Sequence, residues 1–229
     1  MKSDFSIILF DNARGRSYIQ QICNAGFFPA EVLLMPGEWK KPEGLENFSG
    51  MHFDVDEPVF ETIKKYTLKT FLLKEADINA EDTINAVRNT SAKFVVFGGR
   101  GGQILKPEIL NAGKPILHMH PGITPYFRGS TTVYYSNLVN GKAGCTAFFF
   151  NEKIDEGPIV CQTEYDLIHN MDIDYLFDPD IRGQTLVKAI AVLRETQTVQ
   201  NQKEAAGTYP YFIIHPVLKH LSILKNTRG

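Results

Sequence analysis

Short apolar runs alternate with segments of helical periodicity in the first half of the sequence, and this alternation most constrains the fold. Runs rich in β-forming residues occur at 5–10, 31–35, 68–75, 93–99 and 115–120. Between the first two lies SYIQQICNAGF (17–27), whose apolar residues recur at helical spacing before Gly26. A strand–helix–strand succession favours parallel pairing, because the crossover helix returns the chain to the same end of the sheet. The pattern therefore predicts an α/β fold with an open, mostly parallel sheet.

The second half of the sequence predicts an antiparallel edge and further helices. CTAFFFN (145–151) and GPIVCQTEYDL (157–167) are close enough along the chain to pair antiparallel. Segment 181–197 has the strongest helical pattern, and a short helix is expected after Pro216. We expect a main domain over 1–200 and a C-terminal extension over 201–229.

Polar residues in front of two helical patterns predict where those helices begin. Asn79 is expected to cap a helix that includes Asp82 in its first turn. Ser130 or Thr131 is expected to cap the helix that Gly141 ends.

The overall composition excludes several classes of protein. The formal net charge is −2, so a global basic field that would recruit nucleic acid or an acidic membrane is not expected. The apolar runs are shorter than the roughly 20 residues that span a bilayer, and MKSDFSIILF lacks the layout of a signal peptide. Three scattered cysteines are typical of reduced thiols, which predicts a cytoplasmic protein.

Three polar or glycine-rich turns each follow a predicted strand. They are DNARGR (11–16), GGRGGQ (98–103) and HMHPG (118–122). Ligands of open parallel sheets bind at the carboxyl ends of the strands. The coincidence predicts one functional site to which all three turns contribute.

His118 and His120 lie two residues apart in a predicted strand, so their side chains should project from the same face. They are interpretable as core histidines, as zinc ligands or as acid–base groups. The chain has four other histidines and no C-x-x-C motif, which disfavours a metal centre. We expect no resident metal.

The other charged and glycine-rich motifs are less specific. GGRGGQ lacks the Lys-Ser/Thr ending of a P-loop and indicates a special backbone conformation or a closely approaching flat ligand. Arg14 and Arg16 near a helix start suit a phosphate or carboxylate, or form a solvated basic loop. The acidic run 172–180 lacks the glycine and the final glutamate of an EF-hand.

Two longer motifs carry a resemblance to a known family. HMHPGITPYFRG (118–129), followed by GCTAFFFNEKIDEGPIV (144–160), resembles the folate-dependent formyltransferases. This family includes glycinamide ribonucleotide, methionyl-tRNA and sugar N-formyltransferases. VVFGGRGGQILKPEIL (95–110) is similar to the folate-loop segment of the family. The resemblance implies a Rossmann-like sheet with helices on both faces.

The resemblance also implies a catalytic trio of Asn, His and Asp. By position, His120 takes the histidine role and Asp155 the aspartate role, whereas His118 stands where the family has asparagine. A histidine ring N–H can also donate a hydrogen bond to the oxygen of a tetrahedral intermediate. The expected catalytic residues are therefore His118, His120 and Asp155.

N10-formyltetrahydrofolate is the cofactor that the resemblance implies, acting as the formyl donor to a primary amine. The residues expected to bind it are Gly98, Gly99, Arg100, Gly101, Gln103, Ile104, Leu105, Asn151 and Ile154. A nucleotide-linked amino sugar fits best as the acceptor, because a tRNA acceptor usually accompanies a longer and more basic chain. The residues expected to bind the acceptor are Asn12, Arg14, Arg16, Pro121, Tyr126 and Arg128.

Three other functions stay open at this point. The chain could hydrolyse formyltetrahydrofolate, bind folate without turnover, or be a metal-dependent hydrolase built on His118 and His120. The tail TYPYFIIHPVLKH (208–220) either completes the acceptor pocket or forms the face of a homodimer.

Overall fold

The computed structural model describes residues 3–196, 198–202 and 210–227. Within these ranges seven strands alternate with helices. The strands are Phe5–Leu9 (β1), Val32–Leu34 (β2), Thr70–Leu72 (β3), Phe94–Gly98 (β4), Ile116–His120 (β5), Ala143–Phe149 (β6) and Ile159–Tyr165 (β7). The helices are Ala13–Asn24 (α1), Val59–Lys65 (α2), Glu81–Asn89 (α3), Pro107–Leu110 (α4), Thr132–Asn140 (α5), Asp178–Glu195 (α6) and Pro216–Thr227 (α7), and a π-helical turn spans Ile173–Phe177.

The first of two compact units, Met1–His118, contains the parallel part of the sheet. Its strands follow the order β3-β2-β1-β4-β5, and every neighbouring pair is parallel. All five residues of β1 and all five of β4 are buried, as expected for central strands that are covered on both sides. This arrangement explains why both strands have near-continuous apolar sequences.

The boundary between the units falls within β5, and the second unit, Met119–Gly229, contains β6 and β7. β6 and β7 pair antiparallel from Ala143 with Tyr165 to Phe148 with Ile159. The sheet order continues from β5 to β6 and β7, so the α/β fold with an open, mostly parallel sheet is confirmed. The expected boundary at residue 200 stays a prediction, and 203–209 and 228–229 of the expected extension lie outside the described residues.

The predicted cap at Asn79 is wrong, whereas Thr131 lies at the N-cap of α5 and Gly141 at its C-cap, as predicted. Neither polar side chain makes a cap bond, because each bonds groups that are distant in sequence. Ala80 occupies the N-cap of α3, and the amide of Asn79 instead bonds the Ile104 carbonyl (3.0 Å) and the Lys106 N–H (2.8 Å). Thr131 occupies the N-cap of α5 with φ 52°, but its hydroxyl oxygen accepts from the Ile214 N–H at 2.9 Å.

The turn DNARGR also differs from its interpretation as a loop. Asn12 caps α1 by accepting from the Gly15 N–H at 2.9 Å, so Arg14 and Arg16 belong to the first turns of that helix. Asparagine is among the preferred N-cap residues, since its side-chain oxygen satisfies an N–H that the helix leaves without a partner.

A buried amide joins the C-terminal helix α7 to α5 within the second unit. Asn137 of α5 is 3% exposed and donates to the carbonyl (2.9 Å) and the hydroxyl oxygen (2.8 Å) of Ser222 in α7. Ser222 is itself fully buried, although it is a small polar residue. A polar side-chain contact therefore anchors α7 to α5.

We expect Asn137→Ala to lower the free energy of unfolding by about 1–3 kcal/mol, because the acceptors on Ser222 lose their donor in a buried place. Urea unfolding measures this change. The matched control is Asn140→Ala, in an exposed position of the same helix. Equal effects of the two substitutions would show that the buried amide does not hold α7.

Candidate active site

The imidazole of His120, in the second unit, lies at the end of β5 and is 2% exposed. Its Nε2 is 2.7 Å from the carbonyl oxygen of Phe127. A carbonyl oxygen can only accept, so Nε2 is assigned the ring hydrogen. The hydroxyl oxygen of Thr132 lies 3.4 Å from the same nitrogen and donates to the Pro121 carbonyl at 2.7 Å.

The structure brings the carboxylate of Asp155 to the other side of the His120 ring. Oδ2 of Asp155 is 3.5 Å from Nδ1 of His120 and accepts from the Gly129 N–H at 2.7 Å. Asp155 is 9% exposed and has a left-handed backbone, with φ 53°. The two groups that the sequence places 35 positions apart therefore meet within the second unit.

A tight turn between β6 and β7 presents Asp155. The Phe149 N–H donates to the Pro158 carbonyl at 3.1 Å, which closes the turn. A Cβ at Gly157 would lie 1.7 Å from the carbonyl oxygen of Phe149. This contact requires glycine at 157, which explains the Asp-x-Gly spacing of the motif.

The surroundings of His120 act on its pKa in two opposite directions. Burial lowers the pKa of His120 below its ordinary value, since a charged ring loses its hydration. The Asp155 carboxylate and the Phe127 carbonyl act in the opposite direction and favour the charged ring. The neutral ring directs its Nδ1 lone pair toward a carboxylate, and that arrangement suits a group that accepts a proton.

A threonine holds the turn between His120 and α5. Thr146 of β6 donates to the Gly122 carbonyl at 2.6 Å and accepts from the Thr124 N–H at 3.2 Å. Gln162 of β7 donates to Thr146 Oγ1 (3.1 Å) and to the Thr124 carbonyl (2.7 Å). Sequence reasoning missed Gln162 and Thr132, because nothing in a strand or cap pattern shows that a side chain supports a distant turn.

The remaining predicted residues of this unit differ in exposure. Pro121 is buried, Tyr126 is 61% exposed and Ile154 is 61% exposed. Arg128 is 9% exposed and forms an ion pair with Glu156, the residue after Asp155. Asn151 is exposed, and its side-chain oxygen accepts from the Lys153 N–H at 3.0 Å.

The first unit brings its two turns together through an arginine. Arg14 donates to the Gly99 carbonyl, and its guanidinium lies 5.9 Å from the ring centroid of Phe97. The ring of His118 lies 6.3 Å from the same phenylalanine. Arg14, Gly99 and His118 therefore surround the end of β4.

Arg16 is engaged by protein groups. Its Nε is 2.7 Å from Asp11 Oδ1, its Nη1 donates to the Val55 carbonyl at 2.7 Å, and the guanidinium lies 5.0 Å from the centroid of Trp39. Arg16 is 9% exposed. These contacts give Arg16 a structural role in fixing the loop that carries Val55, and its role toward an acceptor stays a prediction.

The glycine-rich loop after β4 mixes tight backbone packing with exposed side chains. A Cβ at Gly98 or Gly99 would lie less than 3.0 Å from Tyr18 or Phe97, respectively. Gln103 bonds the Ala76 carbonyl at 2.8 Å. The rest of the predicted folate loop is exposed at Arg100, Gly101 and Ile104 and half-buried at Leu105.

The described residues contain neither a cluster of metal ligands nor a helix that could span a membrane. Residues 3–196, 198–202 and 210–227 contain no group of three or more His, Cys, Asp or Glu side chains placed to hold a metal ion. In the same ranges no helix has the length and apolar character needed to cross a membrane.

Comparison with known proteins identifies the family. The family model for formyl transferases matches residues 7–179, which is more than half of the chain, so the chain belongs to this family. Methionyl-tRNA formyltransferase of Clostridioides difficile is 27% identical over 183 residues, which cover 76% of this chain and 56% of that protein. The chain spans about half the length of the curated relatives it matches.

Solved structures support the fold at lower identity. Phosphoribosylglycinamide formyltransferase from Streptococcus pneumoniae superposes with a TM-score of 0.59 at 17% identity, covering 86% of this chain and 100% of that chain. A sugar N-formyltransferase from a Shewanella species superposes with a TM-score of 0.55 at 18% identity, covering 97% of this chain and 87% of that chain. These similarities establish the fold and leave the acceptor open.

The lowered pKa of His120 predicts how stability depends on pH. The unfolded chain binds a proton near pH 6.5 that the folded ring binds only at lower pH, so the neutral ring's contribution is lost as pH falls below 6.5. We expect the difference in melting temperature between wild type and His120→Gln to shrink between pH 7.5 and 5.5. Differential scanning fluorimetry measures both proteins.

The control for this experiment is Asn140→Ala, at an exposed position of α5. This substitution changes no titratable group, so its difference from wild type should stay constant over the same pH range. A His120→Gln difference that widens as pH falls would show that the folded ring binds protons more tightly than the unfolded chain.

Proposed function

We propose that this chain is an N-formyltransferase that moves a formyl group from N10-formyltetrahydrofolate to a primary amine. The family membership supports the reaction class. The observation that carries the proposal is the buried pair of His120 and Asp155, with Nδ1 and Oδ2 3.5 Å apart. Transfer to an amine requires a group that removes a proton from the attacking nitrogen, and this pair suits that task.

The described residues have chemistry that fits a reduced pterin. Ile104 in the first unit is 79% exposed and follows a loop of exposed backbone. Ile154 in the second unit is 61% exposed and precedes Asp155. Exposed apolar side chains on loops suit the flat face of a pterin ring. When bound, N10-formyltetrahydrofolate supplies an activated formyl carbon for the amine to attack.

The proposed roles of the side chains follow from their charges. His120 accepts the proton of the attacking amine, and Asp155 stabilises the resulting imidazolium through the 3.5 Å approach. The same proton then passes from His120 to the nitrogen that leaves, so the amine gains the formyl group and the ring returns to neutral. His118 donates a ring N–H to the developing oxyanion, in the place where the family has asparagine.

A nucleotide-linked amino sugar is the acceptor class that we propose. In the first unit, Arg14 is a half-buried cation in the first turn of α1, and a guanidinium at a helix start suits a pyrophosphate. In the second unit, Tyr126 is 61% exposed and offers a ring for stacking on a sugar or base. The net charge of −2 disfavours a large polyanion such as tRNA.

We expect Asp155→Asn and His120→Ala to lower turnover by about 10²–10⁴-fold, the usual contribution of a positioned acid–base group. Asparagine keeps the size of the aspartate and an oxygen for the Gly129 N–H but removes the charge that stabilises the protonated ring. Formation of tetrahydrofolate, separated by anaerobic chromatography, measures the rate. Asp166→Asn, on an 88% exposed side chain, is the matched control. Near-normal turnover in either site variant would refute the assigned roles.

A panel of acceptors tests the proposed substrate class. We expect formylation of one or more nucleotide-linked amino sugars, detected by mass spectrometry as the addition of one formyl group, and little or none of glycinamide ribonucleotide or methionyl-tRNA. Release of formate without any amine would instead indicate a hydrolase. Folate binding without turnover on the whole panel would indicate a binding protein.

A further inference from the structure

A segment beyond the family-matched residues pairs with the start of β7. The family model ends at residue 179. Gln200, 21 positions later, exchanges both backbone hydrogen bonds with Ile159, at 2.7 and 2.8 Å. Ile159 lies two residues after Gly157, so this pairing fixes segment 198–202 beside the turn that presents Asp155.

The side chain of Gln202 holds that turn. Its Nε2 donates to the carbonyl oxygen of Asp155 at 2.9 Å and to that of Gly157 at 2.8 Å. One amide group thus uses both of its hydrogens on carbonyls that flank Glu156. Because both bonds go to main-chain carbonyls of the turn, Gln202 acts on the His120 ring through the turn.

The turn needs such support because its backbone is strained. Asp155 has φ 53°, a left-handed conformation that non-glycine residues seldom adopt. The direction of the Asp155 side chain follows from this conformation, since the carboxylate is aimed between the Gly129 N–H and Nδ1 of His120. Relaxation of the turn would change the distance from Oδ2 to Nδ1.

We propose that Gln202 is a positioning residue that sets the Asp155 carboxylate against His120 by binding the two carbonyls of the turn. This inference rests on the proposed function insofar as the His120–Asp155 pair acts in catalysis. It assigns a role in the reaction to a segment that the family signature does not include.

The test compares Gln202→Met, which keeps the length of the side chain but cannot donate, with Gln202→Lys, whose ammonium restores a donor. Gln200→Met is the matched control, because Gln200 contributes only backbone bonds to the pairing and its side chain is exposed. Each protein is assayed for kcat and for the KM of the formyl donor. The imidazole of His120 is titrated by NMR with ¹³C-labelled histidine and assigned with His120→Gln.

We expect Gln202→Met to lower kcat about 10- to 100-fold with a nearly unchanged KM, as for a reacting group displaced by about 1 Å. The pKa of His120 should also fall further, because the Asp155 carboxylate that raises it has moved away. Gln202→Lys should recover at least half of the lost turnover, and Gln200→Met should resemble wild type. Should Gln202→Met fail to fold, Gln202→Asn replaces it, since the shorter amide reaches at most one of the two carbonyls.

Two results would overturn the inference. One is wild-type kcat and wild-type His120 titration in the Met or Asn variant. The other is a lower kcat with an unchanged His120 titration, which would show that Gln202 acts by a route other than Asp155. If the wild-type protein transfers formyl to no amine, the proposed function fails, but the titration of His120 still decides whether Gln202 positions Asp155.

Discussion

The imidazole of His120 lies between two hydrogen-bond acceptors in a place that water hardly reaches. Nε2 donates to the Phe127 carbonyl, and Nδ1 faces the Asp155 carboxylate at 3.5 Å. Both acceptors favour a protonated ring, whereas burial disfavours the charge and lowers the pKa below its ordinary value. The lowered pKa favours a neutral ring at rest. In the proposed reaction, the Asp155 carboxylate then stabilises the proton that His120 takes from the amine.

Main-chain geometry rather than side-chain packing fixes this pair. The Gly129 N–H holds one carboxylate oxygen, and the turn before β7 is so tight that a Cβ at Gly157 would lie 1.7 Å from the Phe149 carbonyl oxygen. Thr146 and Gln162 hold the turn that follows His120 through backbone carbonyls and N–H groups. Because two glycines and a left-handed aspartate carry the arrangement, small residues at these positions are as necessary as the reacting groups.

The strands could be predicted from the sequence because their signal is local. β1 and β4 are central and buried, so their apolar runs are continuous, and the short chain between β6 and β7 implies antiparallel pairing. The bonds of the two predicted cap side chains could not be predicted in this way: Asn79 bonds Ile104 and Thr131 bonds Ile214, and neither partner is visible in a local pattern. The partners of Arg16 could not be predicted locally either, because the Val55 carbonyl that its guanidinium binds lies 39 positions away.

In the candidate site, sequence motifs indicate the proposed catalytic residues but not the residues that support them. Strand periodicity alone is compatible with His120 as a core residue, a metal ligand or an acid–base group. The resemblance to the formyltransferase family is what predicts that His120 acts together with Asp155. The proposed reacting residues, His120 and Asp155, lie within the family-matched residues 7–179. Gln202 and the backbone of Tyr211, which accepts from the Ser130 N–H at 2.9 Å beside Gly129, lie outside them. Supports of this kind bind main-chain carbonyl and N–H groups, which nearly all residues have, so no local sequence motif reveals them.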